Sequence, residues 1–275
     1  MFKIPVQNGI WEIDAPQVMG ILNVTSDSFY AGSRAKSVES AVKKVNQFIT
    51  EGATIIDIGG QSTRPGAKSL TIEDEIEHVV PIVEAIRNQH PNILLSIDTF
   101  HSQVAAAALK GGANIINDIS CGSFDQQMLQ TVAVFNAGYI GMHISGTFET
   151  MHQFPERAFI MEELLAYFKE KIKTLAEFGI KNWVIDPGFG FGKTIEENFK
   201  VVKELDALKC LELPILLGVS RKSSIYKTLN ITAEEALNGT TIVNTIGILN
   251  GASILRVHDV KEARQIIDLH PYLSK

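Results

Sequence analysis

The stretch Trp183-Val184-Ile185-Asp186-Pro187-Gly188-Phe189-Gly190-Phe191-Gly192-Lys193 decides the fold. A short apolar run ends in a carboxylate, and a Pro and three alternate glycines come next. A run this short, closed by Pro and Gly, reads as a buried strand and a tight loop. The carboxylate therefore stands where the strand stops, at the edge of a sheet. The glycines let the backbone pass close to a flat ligand or to another loop. Two phosphate motifs fail here. A P-loop needs Gly where Pro187 stands, and a G-x-G-x-x-G fingerprint needs Gly where Lys193 stands. The glycines are therefore no sign of a nucleotide fold. Asp186 suits a ligand edge with two adjacent N–H donors, because a carboxylate accepts such a pair in a bidentate way. The other use of an Asp at this place is to cap the next turn.

The same order of elements recurs on both sides of that stretch. An apolar β-type run, a polar or glycine-rich loop and an amphipathic helix repeat with a period of roughly 30 to 35 residues, which suits βα units. The runs are 18–24, 54–58, 93–97, 114–117, 139–142, 183–185, 215–219 and 253–257. Helices are predicted over 38–50, 72–88 and 161–178 from their apolar spacing, and over 240–251 as a nearly uncharged, buried helix. Acidic first turns such as Glu73 and Glu75 complement the helix dipole, and Gly52, Gly111 and Gly179 follow helix ends as C′ glycines do. Eight units predict an α/β fold, a (β/α)8 TIM barrel. The competing open doubly wound sheet needs a switch point that the sequence does not display. Residues 2–14 predict an N-terminal β-hairpin around Asn8-Gly9, placed to plug one end of the barrel. No composition shift or linker divides residues 1–275, so they read as one domain.

The bulk properties agree. The chain has 275 residues, 45% hydrophobic and 20% charged, with a net charge of −6. Single barrels of this kind run to roughly 250 residues. There is no basic tract, so nucleic acid and anionic membrane surfaces are not expected partners. Cys121 and Cys210 imply no disulfide framework. No signal-peptide core and no bilayer-length apolar run is present, so a cytoplasmic protein is expected.

The residues at the end of each apolar run carry the chemistry. Asn23, Asp57, Asp98, Asn117-Asp118, His143 and Asp186 end the first six runs. Ser220-Arg221-Lys222-Ser223 comes after the seventh, and Arg256 and His258 bracket the end of the eighth. In a barrel these ends converge on one face, which carries the active site. Polar groups at all eight ends are costly unless they find partners. Two sets emerge. Asp98, Asn117, Asp186 and Lys222 offer acceptors and donors to a planar heterocycle. Asn23, Ser62, Thr63, Arg64, Arg256 and His258 offer donors to phosphate oxygens. Structural roles compete for several. Asp57 and Asp118 read as buried acceptors for nearby loop amides, and His143 as a satisfied core histidine. Arg221 reads as a partner for a nearby carboxylate and Lys193 as a group pointing to solvent. No nucleophile elbow and no zinc spacing occur. A substrate carrying diphosphate needs no covalent nucleophile, since it brings its own leaving group.

Six of these segments resemble the dihydropteroate synthase family. They are 19–25, 62–67, 117–119, 185–193, 220–223 and 256–259. They occur in the family's order over nearly the whole chain. The resemblance implies a (β/α)8 barrel that condenses 6-hydroxymethyl-7,8-dihydropterin diphosphate with p-aminobenzoate in folate synthesis, with Mg²⁺ and as a homodimer. It places Asp98, Asn117, Asp186, Lys222 and Arg256 at the pterin. Asn23 then helps hold Mg²⁺ and diphosphate, and Ser62, Thr63, Arg64, Arg256 and His258 bind the diphosphate. Phe29, Thr63, Pro65, Phe191, Lys222 and Ser223 form the p-aminobenzoate pocket. Asp98, Lys222, Arg64 and Thr63 are the expected catalytic set. The chain departs from the family pattern at Ser26, at Ala31-Gly32-Ser33 and at Gln61, all in the first two loops. Those departures motivate a second function, a silent pterin-binding protein; the pterin anchors alone would also suit a methyltetrahydrofolate–corrinoid methyltransferase-like enzyme, which has little use for segments 62–65 and 220–223.

Overall fold

The computed structural model describes residues 1–7, 9–24, 34–60, 70–146 and 159–273. Two strands, β1 (Phe2–Val6) and β2 (Gly9–Ile13), pair antiparallel, with Phe2 opposite Ile13 and Val6 opposite Gly9. Eight further strands run parallel. They are β3 (Gln17–Asn23), β4 (Ile55–Gly59), β5 (Leu94–Asp98), β6 (Ile115–Asp118), β7 (Gly138–Met142), β8 (Val184–Asp186), β9 (Leu216–Leu217) and β10 (Ile254–Val257). Their order is β8-β7-β6-β5-β4-β3-β10-β9. The two ends of that order meet, because Ile185 bridges Ile215 and its N–H donates to the Pro214 carbonyl at 3.0 Å. The sheet closes through this narrow seam into the expected barrel, and the open sheet is excluded.

Helices α1 (Arg34–Thr50), α2 (Ile72–Gln89), α3 (Ser102–Lys110), α4 (Met128–Phe135), α5 (Ile160–Glu177) and α6 (Ile195–Lys203) succeed the strands in turn. A 3-10 turn (Leu205–Leu211), α7 (Ser223–Leu229), α8 (Leu237–Leu249) and α9 (Val260–Leu273) complete the described helices. Local chemistry sets their starts. Thr71 caps α2 by accepting from the Asp74 N–H at 3.1 Å. Thr194 and Glu197 form a reciprocal capping box at α6.

Strand alternation divides the interior into layers. Outward residues such as Val18, Ile56, Ile58, Leu95, Ile97, Ile116 and Leu255 pack under the helices. Inward residues at the N-terminal mouth are Met19, Ile55, Ile115, Ile140, Val184, Leu216 and Ile254. Ile4, Val6, Trp11 and Ile13 of the hairpin join that cluster, so the hairpin stoppers this mouth. Two residues further along, the inward positions turn polar on five of the eight strands. Asp57 follows Ile55, Ser96 follows Leu94, Asn117 follows Ile115, Asp186 follows Val184 and Arg256 follows Ile254. An apolar floor therefore lies beneath a polar layer at the opposite mouth.

Two expectations change. Gly52 and Gly179 take positive φ after their helices, but Gly111 does not; Gly112, at φ +111°, makes the turn instead. Helix α8 is not buried all round. Gly239, Thr240, Val243, Gly247 and Ile248 face the core, whereas Ile242, Ile246 and Leu249 are 52%, 42% and 46% exposed.

Candidate active site at the C-terminal mouth

Arg256 is the hub of the polar layer. Its Nε donates to Asp57 Oδ2 at 2.6 Å and its Nη2 to Asp98 Oδ2 at 2.5 Å. Asn117 Nδ2 donates to the same Asp57 oxygen at 3.0 Å. Asp57 is fully buried. Among the described residues its partners are these two side chains rather than loop amides, and so it belongs to the site. Burial alone would lower the pKa of Arg256, but Asp57 and Asp98 outweigh it and hold the guanidinium charged. Burial pushes the Asp98 carboxyl up to about 6 against the pull of Arg256, with Asp57 and Asp118 adding repulsion. Asp118 itself has the structural role expected of it. It accepts from Ser120, from the Gly122 N–H and from the Tyr139 hydroxyl.

The loop after β8 forms the opposite wall. Gly188, Gly190 and Gly192 all have positive φ, at +71°, +85° and +59°. They bring the loop onto its neighbours. A Cβ on Gly188 would lie 2.0 Å from the His143 carbonyl oxygen, and one on Gly190 would lie 3.0 Å from the Lys222 stem. Asp186 Oδ1 accepts from the Gly188 N–H at 2.8 Å. The carboxylate thus caps its own turn with one oxygen and lines the recess beside it. Burial raises its pKa, and Lys222 and the Gly188 N–H oppose that shift. Lys222 Nζ donates to the Phe189 carbonyl and lies 4.4 Å from the centre of the Phe191 ring. Burial lowers its pKa to about 8, with Asp186 pulling the other way.

Asp98, Asn117, Asp186, Phe191, Lys222 and Arg256 line one recess, walled by Ile119 and Met142 and floored at Gly218. The five residues expected at the heterocycle therefore converge. The rest of the expected set is partly in view. Asn23 stands exposed at the end of β3, opposite Gly59. His258 Nδ1 lies 3.0 Å from Ser220 Oγ, and Ser223 begins α7 directly after Lys222. Phe29, Ser62, Thr63, Arg64 and Pro65 lie outside the described residues, as do Ser26, Ala31-Gly32-Ser33 and Gln61. Arg221 makes its expected ion pair, bidentate to Asp259 at 2.8 and 2.9 Å. Lys193 does not point to solvent; its Nζ lies 3.0 Å from His143 Nδ1 and donates to two loop carbonyls. Asn198, absent from the sequence expectations, accepts from the Gly190 N–H at 2.6 Å and donates to Ser224 Oγ at 3.0 Å. An Asn on a helix carries no signal of such a role.

Glu75 departs from expectation too. It lies in the first turn of α2 but is only 1% exposed, beneath Gly60, and neither oxygen has a well-formed hydrogen bond. Burial raises its pKa from 4.5 to about 7; the nearby Thr99 hydroxyl offsets part of this, and Asp98 adds to it. The folded chain therefore binds this proton more tightly than the unfolded chain. The stability that this one group contributes is fully present below pH 4.5 and is lost as pH rises through about 7, by up to about 3 kcal/mol. Glu75→Gln removes that dependence. In urea unfolding it should exceed the parent at pH 8 and match it near pH 4. An equal difference at both pH values would show that Glu75 does not titrate as described.

The chain resembles known proteins along nearly its whole length. Residues 19–258 match the family model described as pterin binding enzyme. The dihydropteroate synthase of Escherichia coli (strain K12) is 41% identical over 262 residues, covering 94% of this chain and 92% of that protein. The Yersinia pestis dihydropteroate synthase, solved with a sulfonamide drug, superposes with a TM-score of 0.91 at 35% identity and 99% coverage of both chains. The Xanthomonas albilineans dihydropteroate synthase, solved with 4-aminobenzoic acid, gives 0.88 at 34% identity and 98% coverage of both.

Proposed function

The chain belongs to the pterin binding enzyme family, among its dihydropteroate synthases, and from that premise we infer how its rim does the work. It joins 6-hydroxymethyl-7,8-dihydropterin diphosphate to p-aminobenzoate and releases 7,8-dihydropteroate and diphosphate. One observation carries the residue assignments: Asp98, Asn117, Asp186, Lys222 and Arg256 share a single recess.

In this reading the pterin lies flat in the recess. Asp186 accepts from its exocyclic amino group and adjacent ring N–H, the paired donors that a carboxylate suits. Asn117 is turned by its bond to Asp57, which leaves its carbonyl oxygen for the ligand. Lys222 donates to the ring, and Arg256 covers the ring face and reaches toward the diphosphate. His258, Ser62, Thr63 and Arg64 take the phosphate oxygens, which become more negative as the C–O bond breaks. Asp98 stabilises the positive charge left on the pterin methylene. The amine of p-aminobenzoate, held among Phe29, Thr63, Pro65, Phe191, Lys222 and Ser223, then forms the C–N bond and loses a proton. The departing diphosphate takes the electron pair of the broken bond, so no enzyme nucleophile is required.

Mg²⁺ belongs to the proposal. Asn23 presents one hard amide oxygen at the rim, while no group of three acidic, His or Cys side chains among the described residues is placed to hold a metal ion. A Mg²⁺ ion would therefore rest on Asn23 and on the substrate's own phosphates, a coordination usual for this ion. Bound there, it supplies positive charge to the leaving group. The test is diphosphate release that requires both p-aminobenzoate and Mg²⁺. Asp186→Asn should fold normally yet lose about 1.5–3 kcal/mol of pterin binding by calorimetry, because an amide donor would face the ligand's donors. Unchanged affinity would remove Asp186 from the pterin site.

A homodimer and a cytoplasmic setting complete the proposal. No described helix is long and apolar enough to cross a membrane. The apolar row Ile242, Ile246 and Leu249 on α8 supports a face between two copies, since such rows are costly in water. Ile246→Glu should leave the melting curve cooperative and halve the sedimenting mass. A parent chain that sediments as a monomer would end this part of the reading.

A further inference from the structure

Lys193 has no part in the proposed chemistry, yet it sits inside the loop that shapes the recess. Its Nζ lies 3.0 Å from the Gly188 carbonyl, 3.1 Å from the Phe191 carbonyl and 3.0 Å from His143 Nδ1. An ammonium carries no lone pair, so His143 Nδ1 must be the acceptor. That fixes the tautomer: His143 is neutral, with its proton on Nε2, which faces Glu163 Oε1 at 3.3 Å. His143 is 2% exposed, and the Tyr167 ring lies perpendicular to the imidazole with 4.8 Å between ring centres. A carboxylate, an imidazole and an ammonium therefore run in series from α5 to the glycine loop.

His143 grips the same loop through its backbone. Its N–H donates to the Asp186 carbonyl at 2.9 Å, and its own carbonyl presses against Gly188. The loop groups held by this series are those that border the ligand groups. Gly188 gives its N–H to Asp186 Oδ1, and Phe191 carries the ring beside Lys222.

We propose that Lys193, oriented by His143 and Glu163, is a positioning residue that locks the Asp186–Phe191 loop in its pterin-gripping shape. Lys193 touches no reacting atom. It ties two carbonyls of a glycine-rich loop that would otherwise sample many backbone states, so the cost of ordering is met before the ligand arrives. This inference rests on the assignment of Asp186 to the pterin.

The test is steady-state kinetics and calorimetry on Lys193→Met, with Asp186→Asn alongside. For Lys193→Met, KM for the pterin diphosphate and Kd for 6-hydroxymethylpterin should each rise about tenfold, the scale of one lost charged hydrogen bond. The value of kcat should change much less, and the melting temperature should stay near the parent's. A purely structural role would lower the melting temperature and leave affinity in the folded fraction unchanged, which would overturn the proposal. If Lys193→Met does not fold, His143→Gln reads the same split in a chain that keeps the lysine. Normal affinity in Lys193→Met with lost affinity in Asp186→Asn would sink the positioning role alone. Normal affinity in both would sink the pterin assignment, and this inference with it.

Discussion

Asp57→Ala should lower the free energy of unfolding by about 3–5 kcal/mol, the range seen when one partner of a buried ion pair is removed. The reason is the number of groups that depend on one oxygen. Asp57 Oδ2 accepts from Arg256 Nε and from Asn117 Nδ2, and Asp57 is completely buried. Without it the guanidinium keeps Asp98 alone as its carboxylate among these contacts, and the Asn117 amide loses its partner inside the barrel. The loss should also reach function. Asn117 would be free to rotate and Arg256 to lean toward Asp98, so calorimetry should show weaker pterin binding in the folded fraction. Asp57→Asn keeps an acceptor oxygen without the charge and should cost less. A decisive control is the pair Asp57→Leu with Arg256→Met. Apolar replacement of a whole buried ion pair is often neutral. The double variant should therefore be more stable than Asp57→Ala while binding no pterin, short of the parent because Asp98 loses its guanidinium and Asn117 its acceptor. If Asp57→Ala costs under about 1 kcal/mol, or the double variant is no more stable than the single, Asp57 is not the keystone of this layer.

The parts of this site that are legible in the sequence share one property. Asp98, Asn117, Asp186 and Arg256 each stand at the end of an apolar run, so finding the strand also finds the side chain. Lys222 comes within a few residues of such a run. The barrel is legible because a βα unit recurs eight times, each apolar run closing at or near a polar residue. Asp57 stands at a strand end too, but its role is hidden. Its partner Arg256 is 199 positions away, and only the closure of the sheet brings them together. Lys193 and Asn198 are hidden for another reason. Their work depends on the curvature of a loop with three positive-φ glycines, and residue spacing carries no such information. Helix α8 misleads because composition reports how apolar a helix is, not which way its large residues point. Its glycines, Thr240, Val243 and Ile248 take the core side, while Ile242 and Ile246 face outward.

Gly188→Ala should abolish measurable pterin binding while the barrel itself still forms. Two penalties combine. A non-glycine residue at φ +71° incurs about 1–2 kcal/mol for the left-handed backbone. The added Cβ would then sit 2.0 Å from the His143 carbonyl oxygen. That oxygen belongs to the backbone, and the His143 N–H is already tied to the Asp186 carbonyl, so the obstacle cannot turn aside. The loop must lift instead. Lifting removes the Gly188 N–H from Asp186 and the Gly188 carbonyl from Lys193, so the carboxylate loses its orientation when its support goes. Gly190→Ala supplies the contrast. Its φ of +85° carries similar backbone strain, but the nearest neighbour of its Cβ would be the Lys222 side chain, at 3.0 Å, and a flexible stem can shift. Calorimetry with 6-hydroxymethylpterin, beside thermal melts of both variants, separates the two. Gly190→Ala should retain weakened binding where Gly188→Ala retains none. Equal affinities would mean that the contact with His143 does not set the shape of the loop, because hard and soft obstacles would then have had the same effect.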